Sequence, residues 1–189
     1  MADREPLVVV RHGETEWSAD GRHTGTTDIP LTPAGREAAA ALAPRLRDQD
    51  YALVLCSPLI RARETCELAG FGAVAQPCPD LVEWDYGDYD GLTTAQIREL
   101  DRDWNLWRDG CPDGEMLAEV GARVDRVLER FAATDGPGIA FAHGHLLRVL
   151  TARWLAMEPA AGAHFKLAAA GIGRLGWERE TRVIDQWNA

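Results

Sequence analysis

The chain predicts an α/β fold, a three-layer α/β/α sandwich around a central, mostly parallel sheet. Three observations carry that prediction. Short apolar runs at Leu7–Val10, Tyr51–Leu55 and Ile139–Ala142 alternate with stretches of helical period, which is the pattern of βαβ units. Two of these runs end in a histidine–glycine pair, His12-Gly13 and His143-Gly144. The third leads through Cys56-Ser57-Pro58 to Arg61. Polar residues at the carboxyl ends of parallel strands stand where open α/β sheets keep their ligands.

The elements follow in order. Leu7–Val10 is the first strand. Thr32-Pro33 reads as an N-cap followed by proline at the first helical position, and Ala39, Leu42, Ala43 and Leu46 supply an apolar face. Pro44 inside that pattern kinks or shortens the helix. Tyr51–Leu55 is the second strand. Ser57-Pro58 repeats the cap signal and opens a helix through Leu68. Ala73–Ala75 reads as a short strand, followed by a loop to Gly91 and a helix over Thr94–Trp107. A longer helix, Gly114–Phe131, shows apolar residues at Leu117, Val120, Val124, Val127, Leu128 and Phe131, close to a 3.6-residue period. Ile139–Ala142 is a buried strand, Leu146–Met157 a helix, and Ile172–Glu178 with Thr181–Trp187 a strand pair.

Length and composition limit the function. The 189 residues suit one domain spanning 1–189, with 46% hydrophobic residues for its core. A net charge of −10 argues against nucleic acid or an anionic membrane as partner. It leaves room for a small anion held by local arginines. The four cysteines form no C-x-x-C pair, which points to reduced thiols in a cytoplasmic protein. The start, Met1–Pro6, is polar and shows no signal-peptide core, and no long apolar span follows. The oligomeric state stays open, a homodimer included.

The three strand ends converge on one face of a parallel sheet and gather Arg11, His12, Arg61 and His143. Arginines beside histidines suit a phosphoryl group, whose charge must be spread over several donors during transfer. A single strand-end histidine is usually structural; two His-Gly pairs with an arginine at a third strand end are not a chance pattern. Gly13 is expected to let the backbone approach a bound group closely.

Beyond these strand ends, the chain resembles the histidine phosphatase superfamily, also called phosphoglycerate mutase-like. The matching segments are Arg11–Trp17, Leu31–Gly35, Ser57–Thr65, Leu81–Gly87 and Ala142–His145, in family order over nearly the whole chain. The resemblance implies that His12 is a nucleophile that becomes phosphohistidine, and that Arg11, Arg61 and His143 bind the phosphoryl group. It implies that Glu83 protonates the leaving oxygen and then activates water. By chemistry alone Glu83 is one carboxylate in an acidic loop with Asp80, Asp85, Asp88 and Asp90. An alkoxide is a poor leaving group, so an acid is needed. The attacking histidine must be neutral, which neighbouring arginines favour, and its second ring nitrogen needs a fixed acceptor such as a backbone carbonyl. The arginines supply the positive charge, so neither a metal nor a cofactor is implied.

Within the family, the mutases have a longer chain and follow the acid with an arginine; here Trp84 stands there. This favours water as acceptor and hence a phosphatase acting on small phosphomonoesters, sugar phosphates among them. Ser18 replaces the usual asparagine and resembles the form in broad-specificity acid phosphatases and the fungal sedoheptulose bisphosphatase. The resemblance places Ser18, Thr24, Gly25, Tyr86, Gly144 and His145 as substrate contacts, with His145 equally suited to capping the helix after it. Trp84, Tyr86 and the Trp104–Trp107 segment are expected at the substrate rim, although packing is the commoner role of Trp104 and Trp107. His23 and His164 are expected at the surface or the pocket rim, and Arg63 in a structural role. A mutase and a non-catalytic phospho-ligand binding protein are the competing readings.

Overall fold

A computed structural model describes residues 5–189. Its elements are β1 (Leu7–Arg11), α1 (Glu16–Ala19), α2 (Pro33–Ala40), α3 (Ala43–Leu46), β2 (Leu53–Cys56), α4 (Ile60–Leu68), β3 (Gln76–Pro77), α5 (Thr94–Leu100), α6 (Leu106–Asp109), α7 (Leu117–Ala132), β4 (Gly138–Ala142), α8 (Gly144–Trp154), β5 (Ile172–Glu178) and β6 (Thr181–Trp187). The sheet order is β3-β2-β4-β1-β5-β6. The first four of these strands are mutually parallel, and β5 and β6 are antiparallel additions.

The period of two along each strand builds the three layers. Leu7, Val9, Leu53, Leu55, Ala140 and Ala142 face α7 and α8, packing with Val120, Val124, Val127, Leu146 and Leu150. Their alternates Val8, Val10, Val54, Cys56, Ile139 and Phe141 face the other way and pack with Leu42 and Leu46 at the two ends of α3 and with Ala62 and Cys66 of α4. The strands are therefore apolar on both faces, as a sheet covered on both sides requires. All four cysteines are free and buried. Among the described residues no helix is long and apolar enough to cross a membrane.

Several boundaries differ from the sequence expectation for local reasons. The 73–75 stretch is a turn, because the N–H groups of Val74 and Ala75 both donate to the Phe71 carbonyl. The short strand lies just beyond, at Gln76–Pro77. The expected 94–107 helix is two helices. Asp101 is extended, its carboxylate accepts from Asp103 N–H at 3.3 Å, and Asn105 caps α6; short polar side chains compete with the helical ladder here. Ser57 does not cap α4, whose N-cap is Leu59 without a side-chain bond. Asp28 supplies the acceptor instead, taking the Ile60 N–H at 2.7 Å. Pro44 divides the second helical stretch into α2 and α3. The helix expected from Gly114 starts at Leu117, after an extended Met116 whose N–H goes to the Glu119 carboxylate at 2.7 Å. The helix after His143 runs from Gly144 to Trp154 rather than from Leu146 to Met157.

Candidate active site

Strand register assembles the site. Arg11 of β1 pairs with Ala142 of β4, so the next residues, His12 and His143, leave the sheet side by side. Their ring centroids are 5.2 Å apart. Cys56 of β2 pairs with Phe141, which brings Ser57 against His143 from the other side. A methyl group on Gly13 would collide with the Gly35 carbonyl. The close approach at Gly13 is thus to the N-terminal turn of α2, not to a bound group as the sequence suggested. The Gly13 N–H donates to Thr65 Oγ1 at 3.0 Å and completes this seat.

His12 is buried, and its Nδ1 lies 2.7 Å from the Gly13 carbonyl. A carbonyl only accepts, so Nδ1 carries the proton and Nε2 keeps its lone pair. Burial first, then the positive fields of Arg11 and Arg61, pushes the His12 pKa well below the ordinary histidine value. The imidazole is therefore neutral near pH 7. Burial and Arg61 do the same to His143.

Arg61 is fully buried and almost saturated. Its Nε–H donates to His143 Nδ1 at 3.1 Å, Nη1 to the Thr27 carbonyl at 3.0 Å, and Nη2 to the Thr24 and Gly25 carbonyls at 3.0 and 2.8 Å. The Thr24–Thr27 loop is in turn clamped by Asp90, which accepts from the Gly25 and Thr27 N–H groups at 2.7 and 3.2 Å. Arg11 is the opposite case. Its Nη1 donates to the Leu167 carbonyl at 2.7 Å, while its buried Nε has no partner among the described residues.

The Glu83 carboxylate is aimed by three backbone N–H groups. Oε1 accepts from Trp84 and Leu146 at 2.9 Å each, and Oε2 accepts from His145 at 3.1 Å. The last two donors belong to the first turn of α8, a position that favours an anion. Arg123 straps the same loop: it donates to the carbonyls of Asp80, Val82 and Glu83 and forms a two-pronged pair with Glu115.

Arg11, His12 and Glu83 open onto one cavity of about 420 Å³, a size typical of small-molecule sites. Ser18, Thr24, Tyr86, Gly144 and His145 also line it, five of the six expected contacts. Gly25 does not line the cavity; its carbonyl and N–H are spent on Arg61 and Asp90. Ser18 donates to the Thr15 carbonyl at 3.0 Å and accepts the Thr15 N–H at 2.9 Å, closing a cap on α1. His145 does not cap α8; its Nδ1 lies 2.6 Å from the Tyr86 hydroxyl. Trp84 and Trp104 are buried and donate to the Glu115 and Gly110 carbonyls at 2.8 and 2.7 Å; they are packing, not rim. His23 lines the cavity and His164 is exposed outside it. Arg63 lines a separate surface depression beside Cys66 and Glu67.

Sequence reasoning missed Arg22, Arg148 and Lys166 on the cavity wall. Arg148 follows His145 by three residues on α8, a spacing that signals a shared helix face. Lys166 lies in a loop and gives no such signal. Among the described residues no cluster of three or more His, Cys, Asp or Glu forms a metal site.

Comparison with known proteins agrees with this geometry. An acid phosphatase of Mycobacterium tuberculosis is 43% identical over 185 residues, covering 94% of this chain and 89% of the relative. The sedoheptulose 1,7-bisphosphatase of Saccharomyces cerevisiae is 35% identical over 187 residues, covering 79% and 67%. A solved mycobacterial glucosyl-3-phosphoglycerate phosphatase, in complex with VO3, superposes with a TM-score of 0.86 at 31% identity, covering 98% of this chain and 99% of that one. The model of the histidine phosphatase superfamily, branch 1, matches residues 7–189, and the chain belongs to that family.

Proposed function

We propose that the protein hydrolyses small phosphomonoesters through a phosphohistidine at His12. The observation that carries this reading is the fixed tautomer of His12: Nδ1–H is held by the Gly13 carbonyl, which leaves an unprotonated Nε2 in a cavity it shares with Arg11 and Glu83. Nε2 attacks phosphorus, the ester P–O bond breaks, and Glu83 delivers its proton to the departing oxygen to release the alcohol. Glu83, now a carboxylate, takes a proton from water, whose oxygen attacks phosphorus; the P–N bond to His12 breaks, orthophosphate is formed and the neutral imidazole is restored. The Arg11 guanidinium, of which Nη1 is held by the Leu167 carbonyl, lines the cavity and donates to the phosphoryl oxygens. Arg61 and His143 support them from beneath, Arg61 mainly through its charge because most of its N–H groups are committed. The positive charge comes from these arginines and needs no metal.

Water is the acceptor in this reading because Trp84, the residue after Glu83, is buried and offers no cation to a second substrate. The names of the phosphatase relatives support the same class. The test is release of orthophosphate from phenyl phosphate in the presence of EDTA. Wild-type protein is expected to turn over and His12→Ala to lose essentially all activity. A fully active His12→Ala variant overturns the mechanism, and loss of wild-type activity in EDTA overturns metal independence.

A further inference from the structure

Beyond the phosphoryl subsite, one wall of the cavity carries cations without acidic partners. Among the described residues Glu83 is the sole acid lining the cavity, against Arg11, Arg22, Arg148 and Lys166, in a chain whose net charge is −10. Arg22 pairs with Asp20 at 3.5 Å. Arg148 instead donates through Nε and Nη2 to the carbonyls of Gly162 and Ala163 at 2.9 and 2.7 Å, and its Cζ lies 4.7 Å from the Trp107 ring centroid. It is held rigidly and keeps free N–H groups. Lys166 is the one lysine of the chain. Its carbonyl accepts from Trp187 and Asn188 at 2.7 and 2.9 Å, and the next carbonyl, of Leu167, accepts from Arg11 at 2.7 Å. Its backbone is therefore fixed beside the phosphoryl subsite while its ammonium stays exposed.

His145 adds a neutral donor. Tyr86 is buried, and among the described residues the acceptor within reach of its hydroxyl proton is His145 Nδ1, at 2.6 Å; a buried phenol left without an acceptor would be costly. With Nδ1 accepting, Nε2 of His145 carries the proton, and the residue lines the cavity. His145 and Arg148 share a face of α8.

We propose that Arg148, Lys166 and the His145 Nε2–H form a second anion subsite, so that the preferred substrates are phosphomonoesters whose leaving group bears another anion, a carboxylate or a second phosphate. Arg148 and Lys166 are its specificity-determining residues. This rests on the phosphatase reading above and adds a substrate class to it. A rigid, incompletely bonded cation such as Arg148 gains most from an anion that meets it in a partly dry wall, and the mobile Lys166 ammonium adds charge at its edge.

Three esters of one shape test it: phenyl phosphate, 4-carboxyphenyl phosphate and 4-(phosphonomethyl)phenyl phosphate. The two anion-bearing tails separate the carboxylate and phosphate sources. In wild-type protein at least one charged ester is expected to exceed phenyl phosphate in kcat/KM by about tenfold or more, mainly through KM. In Lys166→Ala that ratio falls severalfold, and in Lys166→Glu it inverts. Arg148→Gln acts in the same direction, and circular dichroism reports whether it stays folded; the Lys166 variants do not depend on that answer. Equal kcat/KM for all three esters, or a preference that survives Lys166→Glu, overturns the subsite. If wild-type protein hydrolyses none of them, the phosphatase reading has failed. Calorimetric binding of the same three esters then decides the subsite separately, with equal affinities counting against it.

Discussion

Arg61 Nε–H donates to His143 Nδ1 at 3.1 Å, and His143 therefore has only its Nε2–H to give, which reaches Ser57 Oγ at 2.7 Å. One buried arginine thus fixes the tautomer of a histidine in the candidate site, and a serine at a third strand end accepts its hydrogen bond. Replacing Ser57 by alanine leaves a buried N–H without an acceptor. Ser57→Ala is expected to lose about 1–3 kcal/mol of stability and to lower kcat more than it raises KM. Urea unfolding and steady-state kinetics check this, and Ser57→Thr, which retains a hydroxyl, is expected to recover part of both.

Arg123 acts at one remove from the chemistry. Its guanidinium ties three carbonyls of the Asp80–Glu83 loop to Glu115, so the aim of Glu83 depends on it. Arg123→Ala is expected to destabilise by about 3 kcal/mol or more, since Glu115 loses its partner in a largely buried setting. Arg123→Lys cannot reproduce the fork and should restore little. The discriminating readout is substrate dependence: the loss in kcat should shrink for an aryl phosphate with a very acidic leaving group, which needs no proton. An equal loss for acidic and poor leaving groups would show that Glu83 is not what Arg123 positions.

Protonation gives a third expectation. His12, His143 and His145 all have pKa values pushed well below 6.5, by burial first and by nearby cations second. Below pH 6.5 the unfolded chain binds protons that the folded chain refuses, so stability falls as pH drops through and below that value and is flat above it. Each such histidine contributes a slope of up to about 1.4 kcal/mol per pH unit in that window. The urea midpoint measured from pH 8 to pH 5 reports it. Over the range where the protein stays folded, kcat/KM should show no acid limb at the ordinary histidine pKa, because His12 remains neutral there.

The seat of the site makes a steric prediction. A methyl group on Gly35 meets the Glu14 backbone, and one on Gly13 meets the Gly35 carbonyl. Both contacts are with main chain, which cannot swing aside. Gly35→Ala is expected to cost about 1–3 kcal/mol or more and to reduce activity by shifting Gly13, the acceptor for His12. Thermal unfolding with and without orthophosphate separates the two effects.

Much of this was legible in the sequence, for reasons that particular residues show. Val8, Val10, Ile139 and Phe141 read as strands because a sheet covered on both faces is continuously apolar. His12 and His143 read as a site because strand ends converge wherever the register is parallel. Ser57 was misread as a helix cap because a serine before proline gives the same local signal whether its hydroxyl turns to the helix or to a histidine 86 positions away. Gly25 was read as a substrate contact, yet it serves Arg61. Arg148 and Lys166 were missed because facing a cavity is settled by tertiary packing, and no local pattern marks an arginine that leans on carbonyls rather than carboxylates.

The unpartnered Nε–H of Arg11 has a thermodynamic consequence. A buried donor without an acceptor raises the free energy of the fold by about 1–3 kcal/mol, and an oxyanion bound against the same guanidinium offsets it through charge. On the phosphatase reading, reaction product and protein stabiliser are then the same species: orthophosphate has an intrinsic reason to linger, and its departure is expected to cost more than that of the alcohol.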